Sequence, residues 1–244
     1  MCGVCGCNEN NVFELSSSPS AVLNHSHAHE HSKTIQIEQD ILAKNNEFAS
    51  INRKYFEDRQ ITALNIMSSP GSGKTTLLVK TILALKQTLS FSVIVGDQQT
   101  DRDTQRIATT GISALQINTG KGCHLDAHDI GHALEKLRPP SNSILFIENV
   151  GNLVCPALFD LGETYKVVIL SVTEGEDKPL KYPHMFYSAD LVLLAKMDLL
   201  PYVNFNVDEC IQYIKQINHR ATILQVSAMT ENSLKNWQDW LCAH

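Results

Sequence analysis

Residues 68–76, SSPGSGKTT, have the composition and spacing of a loop that binds phosphate groups. Glycines at positions 71 and 73 let backbone N–H groups approach phosphate oxygens. Lys74 can then reach the β- and γ-phosphates, and the Thr75 hydroxyl can ligate Mg²⁺. An apolar run precedes the loop and a helical pattern follows it, so the positive end of a helix also faces the phosphates. The predicted nucleotide-binding residues in this loop are Gly71, Ser72, Gly73, Lys74, Thr75 and Thr76.

Acidic residues at the ends of two other apolar runs extend this triphosphate site. Glu148 ends the run SILFIE, and Gly151 follows three residues later. This is the order of a Walker-B acid and of a switch glycine that senses the γ-phosphate. Asp97 ends the run FSVIVGD, at an edge where open α/β sheets bind ligands. We therefore assign catalysis to Lys74, Glu148 and Gly151, and Mg²⁺ binding to Thr75 and Asp97. No catalytic base is evident, which predicts slow hydrolysis.

Two late segments carry side chains that can recognise a guanine base. Lys196 and Asp198 follow the apolar run LVLLA, and Ser227 and Ala228 follow ILQV. An aspartate accepts hydrogen bonds from guanine N1–H and N2–H₂, a pair of donors that adenine lacks. The usual pattern has an asparagine before the lysine, where Ala195 stands here. The order of these segments along the chain predicts a preference for guanine nucleotides.

The N-terminal segment contains closely spaced metal ligands. Cys2, Cys5 and Cys7 can wrap one soft or borderline cation, and a free α-amino group next to Cys2 could supply a fourth ligand. Such a set of three sulfurs and one nitrogen suits Zn²⁺ or Ni²⁺. A histidine tract follows that indicates weak metal binding at several sites, or only a solvated linker. Its members are His25, His27, His29 and His31.

Cys123, His124 and Cys155 form a third group of possible metal ligands. Cys123 and His124 are adjacent in the chain, and Cys155 comes four residues after Gly151. A thiolate, an imidazole and a second thiolate could meet beside the nucleotide. Spacing alone leaves this open, because a single cysteine is most often a small core residue.

Apolar runs alternate with helical patterns from residue 61 onward, which fits buried parallel strands joined by crossover helices. We expect an α/β fold, a doubly wound and mainly parallel sheet of about seven strands typical of P-loop NTPases. Residues 1–34 lack apolar periodicity and are predicted to form a flexible metal-binding tail. Residues 35–60 are predicted to form a leading helix, and residues 61–244 the GTPase domain.

Composition excludes several classes of protein. The 244 residues carry a formal charge of −6 without a cluster of Lys and Arg, which argues against nucleic-acid binding. No apolar stretch approaches the roughly 18 residues that span a bilayer, which argues against a membrane protein. The N-terminus has no pattern of a signal peptide, so a cytoplasmic protein with reduced cysteines is expected.

Taken together, these motifs resemble those of one known family, the hydrogenase nickel-incorporation GTPases of the HypB type. The matching segments are CxxCGC at the N-terminus, SSPGSGKTTLL, GDQQTD, NTGKGCHLDA, ILFIENVGNLVCP, LSVTEGEDKPLKYPHMF and KMDLLPY. The resemblance covers the whole predicted domain and the extreme N-terminus, and leaves out the histidine-bearing linker. It implies a G domain of the SIMIBI class, in which two subunits pair across their nucleotide sites.

The resemblance also implies roles for the ligand groups. Cys2, Cys5 and Cys7 match the family's tight N-terminal nickel site. Cys123, His124 and Cys155 match an internal site for zinc or nickel at the dimer interface. The implied activity is Mg²⁺-dependent hydrolysis of GTP to GDP during delivery of Ni²⁺ to the large subunit of nickel–iron hydrogenase. The implied partners are a second copy of the chain, HypA, the hydrogenase large subunit and the chaperone SlyD.

Three other functions compete with this one. A urease-type accessory GTPase also handles nickel, but the CxxCGC start and the Cys123–His124 pair favour the hydrogenase role. A nickel store would leave the phosphate-binding loop and the switch segment without a purpose. A metabolite kinase would need a pocket for a phosphate acceptor, and no motif indicates one.

Overall fold

The computed structural model of the chain describes residues 26–98 and 100–244, with side chains from residue 39 onward except at positions 99, 231 and 232. The chain divides into two units, residues 1–44 and 45–244. The sheet and the sites considered below belong to the second unit. Cys2, Cys5, Cys7 and His25 lie outside the described residues, so the tail and its ligand set stay predictions. The boundaries at 34 and 60 also stay predictions.

Seven parallel strands form one sheet in the described part of the chain, in the order β3-β2-β4-β1-β5-β6-β7. The predicted fold class and strand number are thereby confirmed. The central strands are buried on both faces, which is why their sequences are continuously apolar. The strands are β1 (Ile61–Ser68), β2 (Phe91–Asp97), β3 (Ser113–Asn118), β4 (Ser143–Glu148), β5 (Tyr165–Ser171), β6 (Leu191–Ala195) and β7 (Thr222–Gln225).

Helices connect these strands on both faces of the sheet. They are α1 (Ser26–Arg59), α2 (Lys74–Leu85), α3 (Arg102–Ala108), α4 (Ala127–Leu137), α5 (Cys155–Leu158), α6 (Lys178–Lys181), α7 (Pro183–Tyr187), α8 (Val207–Ile217) and α9 (Lys235–Ala243). Two 3₁₀ helices span Met197–Tyr202 and Glu231–Leu234. Among the described helices, none has the length and apolar character that crossing a lipid bilayer requires.

Apolar side chains of the central strand β1 alternate between the two covered faces. Leu64 and Ile66 pack with α2 and α9, whereas Ala63 packs with α4 on the opposite face. Trp237 of α9 is fully buried, and its indole N–H donates to the Thr81 hydroxyl of α2. Because all strands are parallel, the loops that carry the predicted site residues leave the sheet at the same edge.

Candidate functional site

The loop between β1 and α2 is held around the Ser68 hydroxyl. Lys74 Nζ donates to Ser68 Oγ at 2.8 Å, and Ser72 Oγ donates to the same atom at 2.5 Å. Gly73 has φ +103°, a left-handed conformation that L side chains rarely adopt. This turn lets α2 begin at Lys74 with its first N–H groups pointing into the loop. The general loop pattern has glycine at position 68, and the serine here supplies an acceptor for the lysine.

Lys74 and Glu148 are opposite charges with little access to water. Lys74 is only 8% exposed, and this burial lowers its pKa, against a smaller opposing effect of Glu148. Burial raises the pKa of Glu148 to about 7, although Lys74 and the Thr75 hydroxyl oppose the shift. Thr75 Oγ1 donates to Glu148 Oε1 at 2.8 Å, whereas Oε2 is buried without a hydrogen-bond partner among the described residues. Lys74 therefore offers a positive charge to a ligand, and Glu148 Oε2 offers a hydrogen-bond acceptor.

A cavity of about 450 Å³ opens beside these residues. Asp97 lines it and accepts hydrogen bonds from the Gln98 N–H and the Thr100 hydroxyl. The structure thus brings together every residue predicted for catalysis and for Mg²⁺, while their roles stay predictions. The lining residues are Pro70, Gly71, Gly73, Lys74, Thr75, Thr76, Gly96, Asp97, Gln98, Asp103, Arg106, Glu148, Asn149, Val150 and Gly151.

Gly151 packs directly against the phosphate-binding loop. A Cβ atom at this position would lie 2.9 Å from the backbone N and Cα of Pro70, closer than real Cβ atoms approach backbone. Only glycine therefore fits without displacing one of the two segments. The phosphate-binding loop and the segment after β4 are therefore in direct contact.

A second pocket of about 410 Å³ lies next to the first and is lined by Lys196, Asp198 and Ala228, three of the four predicted base-reading residues. Lys196 Nζ donates to the Gly71 carbonyl at 2.7 Å, which ties the end of β6 to the phosphate-binding loop. Ser227 Oγ donates to Asp198 Oδ1 at 2.5 Å and orients that carboxylate. Ala195 and Ala228 also line this pocket. Ala195 stands where the usual pattern has asparagine, so it presents a methyl group to the pocket instead of an amide.

Cys123, His124 and Cys155 converge into one cluster whose ligand atoms lie within 4.8 Å of one another. Cys123 Sγ is 2.9 Å from Cys155 Sγ and 3.5 Å from His124 Nδ1. Two thiolates on a tetrahedral ion, each about 2.3 Å from it, lie roughly 3.8 Å apart, so ion binding would separate the sulfurs by about 1 Å. Burial lowers the pKa of His124 and favours the neutral imidazole that ligates metals.

Two asparagines connect this cluster to the segment after β4. Asn149 Oδ1 accepts from the N–H groups of Val150 at 2.9 Å and Leu125 at 3.2 Å. Asn152 Nδ2 donates to the Cys123 carbonyl at 3.3 Å. The loop that carries Cys123 is therefore hydrogen-bonded to the residues on either side of Gly151. Sequence reasoning missed both asparagines, although they lie inside a segment that it had singled out.

Sequence reasoning also missed two polar residues that the fold places in the phosphate cavity. Asp103 and Arg106 of α3 line the phosphate cavity. On α4, the Nε2 atoms of His128 and His132 lie 3.2 Å apart, a separation that suits two nitrogen ligands of one ion. The spacing of four residues places both histidines on one face of the helix. No local motif marks Arg106.

Comparisons with known proteins agree with this geometry. The family model "CobW/HypB/UreG, nucleotide-binding domain" matches residues 62–225. The hydrogenase maturation factor HypB of Rhizobium leguminosarum bv. viciae is 60% identical over 209 residues, covering 86% of this chain and 70% of that protein. The hydrogenase/urease maturation factor HypB of Helicobacter hepaticus is 41% identical over 213 residues, covering 86% of this chain and 87% of that protein.

A solved structure extends the agreement to three dimensions. The crystal structure of HypB from Helicobacter pylori in complex with nickel superposes with a TM-score of 0.79 at 40% identity, covering 82% of this chain and 94% of that one. The strand order and the motif positions are those of a nucleotide-binding domain with a phosphate-binding loop. The resemblance stated from the motifs is confirmed, and the chain belongs to the HypB family.

Proposed function

We propose that the chain is a GTP-hydrolysing nickel metallochaperone that binds Ni²⁺ or Zn²⁺ and assists nickel insertion into nickel–iron hydrogenase. The observation that carries this proposal is the segment 148–155, which runs from the phosphate cavity to the thiolate and imidazole cluster. One short segment thus touches both a nucleotide site and a metal site. A metallochaperone needs such a connection to release its cargo when the nucleotide changes.

The nucleotide chemistry follows from the cavity. Lys74 holds the β- and γ-phosphates, and Thr75 and Asp97 hold Mg²⁺, which neutralises charge on those phosphates. The unpartnered Glu148 Oε2 fits this assignment, since it leaves an oxygen for the ion or its water. Gly151 follows the γ-phosphate through its contact with the loop. We assign no general base in this cavity and therefore expect slow hydrolysis.

Guanine recognition rests on Asp198, which Ser227 orients, and on Lys196 behind the base pocket. We predict that Ala195→Asn tightens both GTP and GDP binding several-fold. One recovered hydrogen bond contributes about 1 kcal/mol, and the base is common to both nucleotides. Titration with fluorescent GTP and GDP measures the change, and Ala243→Asn at the exposed C-terminus controls for the substitution itself.

Two outcomes would contradict this account of the base pocket. Unchanged affinity for both nucleotides in a folded Ala195→Asn variant would mean that another group already binds the base edge. ATP that competes as well as GTP for the unmodified protein would overturn the guanine assignment.

The metal chemistry is assigned to two ligand sets. Cys123, His124 and Cys155 form the internal site, where Cys123 and His124 are partly accessible and Cys155 is buried. The N-terminal cysteines (Cys2, Cys5 and Cys7) form the tighter nickel site. The HypB structure from Helicobacter pylori was solved with nickel, which supports nickel as the cargo. The proposed partners are a second copy of the chain, HypA, the hydrogenase large subunit and SlyD.

Nickel titration of the purified chain tests this proposal. We expect two binding phases in the unmodified protein, and loss of the tighter phase when Cys2, Cys5 and Cys7 are all replaced by alanine. GTP hydrolysis is expected to remain nearly intact in that variant, because a predicted flexible tail separates these cysteines from the phosphate-binding loop. Nickel content of the hydrogenase large subunit, measured after incubation with the loaded chain and GTP, tests delivery.

The same experiment separates the competing functions. Nickel binding without GTP hydrolysis would indicate a store. Delivery to the urease apoprotein and not to the hydrogenase would favour the urease-type role. The Helicobacter hepaticus relative is named a hydrogenase/urease maturation factor. Loss of hydrolysis in the triple cysteine variant would show that the N-terminal segment contributes to the nucleotide site.

A further inference from the structure

Arg106 lies in the phosphate cavity although no recognised motif includes it. It belongs to the short helix α3, which follows the Asp97 loop. Among the described residues that line the cavity, Lys74 and Arg106 are the two with a fixed positive charge. Arg106 is also close enough to Glu148 to oppose the rise in the pKa of that carboxyl. Arg106 therefore lies where it can contact a nucleotide bound in the cavity.

The guanidinium group is held in place by two neighbours. Arg106 Nη2 donates to the Thr76 hydroxyl at 2.8 Å, and Nη1 lies 3.3 Å from Asp103 Oδ1. A guanidinium has five N–H donors, so these contacts leave several for a ligand. The side chain is 51% exposed, which keeps those donors accessible. An arginine oriented in this way can bind phosphate oxygens with paired hydrogen bonds.

The position of Thr76 indicates which phosphates Arg106 reaches. Lys74 is assigned to the β- and γ-phosphates and Thr75 to Mg²⁺, whereas Thr76 lies one residue further along α2. The backbone of such a loop surrounds the α- and β-phosphates. We propose that Arg106 binds the α- and β-phosphates of the guanine nucleotide, exchanging its Thr76 contact for phosphate oxygens. This inference rests on the proposed nucleotide function.

A contact with the α- and β-phosphates is made equally to GTP, to GDP and in the transition state. Its loss should therefore weaken binding without slowing the chemical step. For Arg106→Gln we expect Kd for GDP and for a non-hydrolysable GTP analogue to rise on the order of 10- to 100-fold, as for a charge-assisted hydrogen-bonded contact. KM for GTP should rise similarly, with kcat within about twofold.

Matched variants separate binding from structure. Arg102→Gln changes an exposed arginine of the same helix that does not line the cavity, and should leave Kd unchanged. Arg106→Lys should recover part of the affinity, because it keeps the charge but not the paired geometry. Thermal unfolding of each nucleotide-free variant checks that α3 remains folded.

Three results would overturn the inference. Equal nucleotide affinities in Arg106→Gln and Arg102→Gln would show that Arg106 only supports α3. A fall in kcat at unchanged Kd would place the guanidinium at the γ-phosphate instead. If the unmodified chain binds no guanine nucleotide, the proposed function fails and this inference fails with it.

Discussion

Replacing Lys74 with alanine is expected to abolish GTP binding at micromolar nucleotide concentrations. The ammonium group is buried beside Ser68 and Glu148, so it is poorly hydrated in the nucleotide-free protein. A phosphate chain restores a strong electrostatic partner to it. Removing one member of such a desolvated charge pair costs about 2–5 kcal/mol, which corresponds to roughly 30- to 5,000-fold in affinity. Calorimetric titration with a non-hydrolysable GTP analogue measures the loss.

Lys80→Ala is the matched control for this substitution. Lys80 lies on the same helix but is exposed and lines neither nucleotide pocket, so its removal should leave affinity unchanged. Thermal unfolding checks that nucleotide-free Lys74→Ala is folded, because the substitution leaves Glu148 without its buried counter-charge. A folded Lys74→Ala variant that binds and hydrolyses GTP normally would remove the loop from its proposed role.

The fold could be predicted because its signals are local and repeated. The central strands are mainly apolar runs, since both of their faces are covered, and each run ends where a helical pattern begins. The phosphate-binding loop was equally accessible, because all of its functional atoms come from one short segment. Ser68 departs from the general loop pattern, and the structure explains it as an acceptor for Lys74.

The rest of the site depends on how separate segments meet. Cys123 follows β3 and Cys155 follows β4, and β2 lies between those strands in the sheet. Spacing along the chain cannot show that the two loops meet across it. Arg106 and Asn149 were missed for the same reason, because their partners come from other segments. Residues of this kind become visible only when the edge of the sheet is assembled.

The connection between the two sites predicts coupled binding of metal and nucleotide. Gly151 contacts Pro70 of the phosphate-binding loop, so the γ-phosphate can move the segment that leads to Cys155. Cys123 lies on another loop, joined to this segment through Asn149 and Asn152. Moving one ligand relative to the others changes metal affinity. A coupling of about 1–3 kcal/mol would change nickel or zinc affinity roughly 5- to 150-fold between the GTP-bound and GDP-bound states.

The full chain with alanine at the three N-terminal cysteine positions isolates the internal site. Nickel and zinc affinities of this protein are measured with GDP and with a non-hydrolysable GTP analogue. Linkage requires the metal to change nucleotide affinity by the same factor, which gives an independent check. Adding Asn152→Ala should reduce the coupling while the metal and the nucleotide still bind, because it removes the hydrogen bond to the Cys123 carbonyl. Cys242→Ala, at an exposed position on α9, should change nothing.

The expected coupling also extends to assembly. If GTP closes a two-fold dimer across the nucleotide sites, clusters from two subunits approach one another and metal binding stabilises the dimer by mass action. Analytical ultracentrifugation with and without nickel then shows a larger dimer fraction in the metal-bound, GTP-bound protein. A metal that binds both nucleotide states equally cannot shift the equilibrium between them. Identical metal affinities in the two nucleotide states, together with an unchanged dimer fraction, would therefore mean that Cys123, His124 and Cys155 form a static structural site.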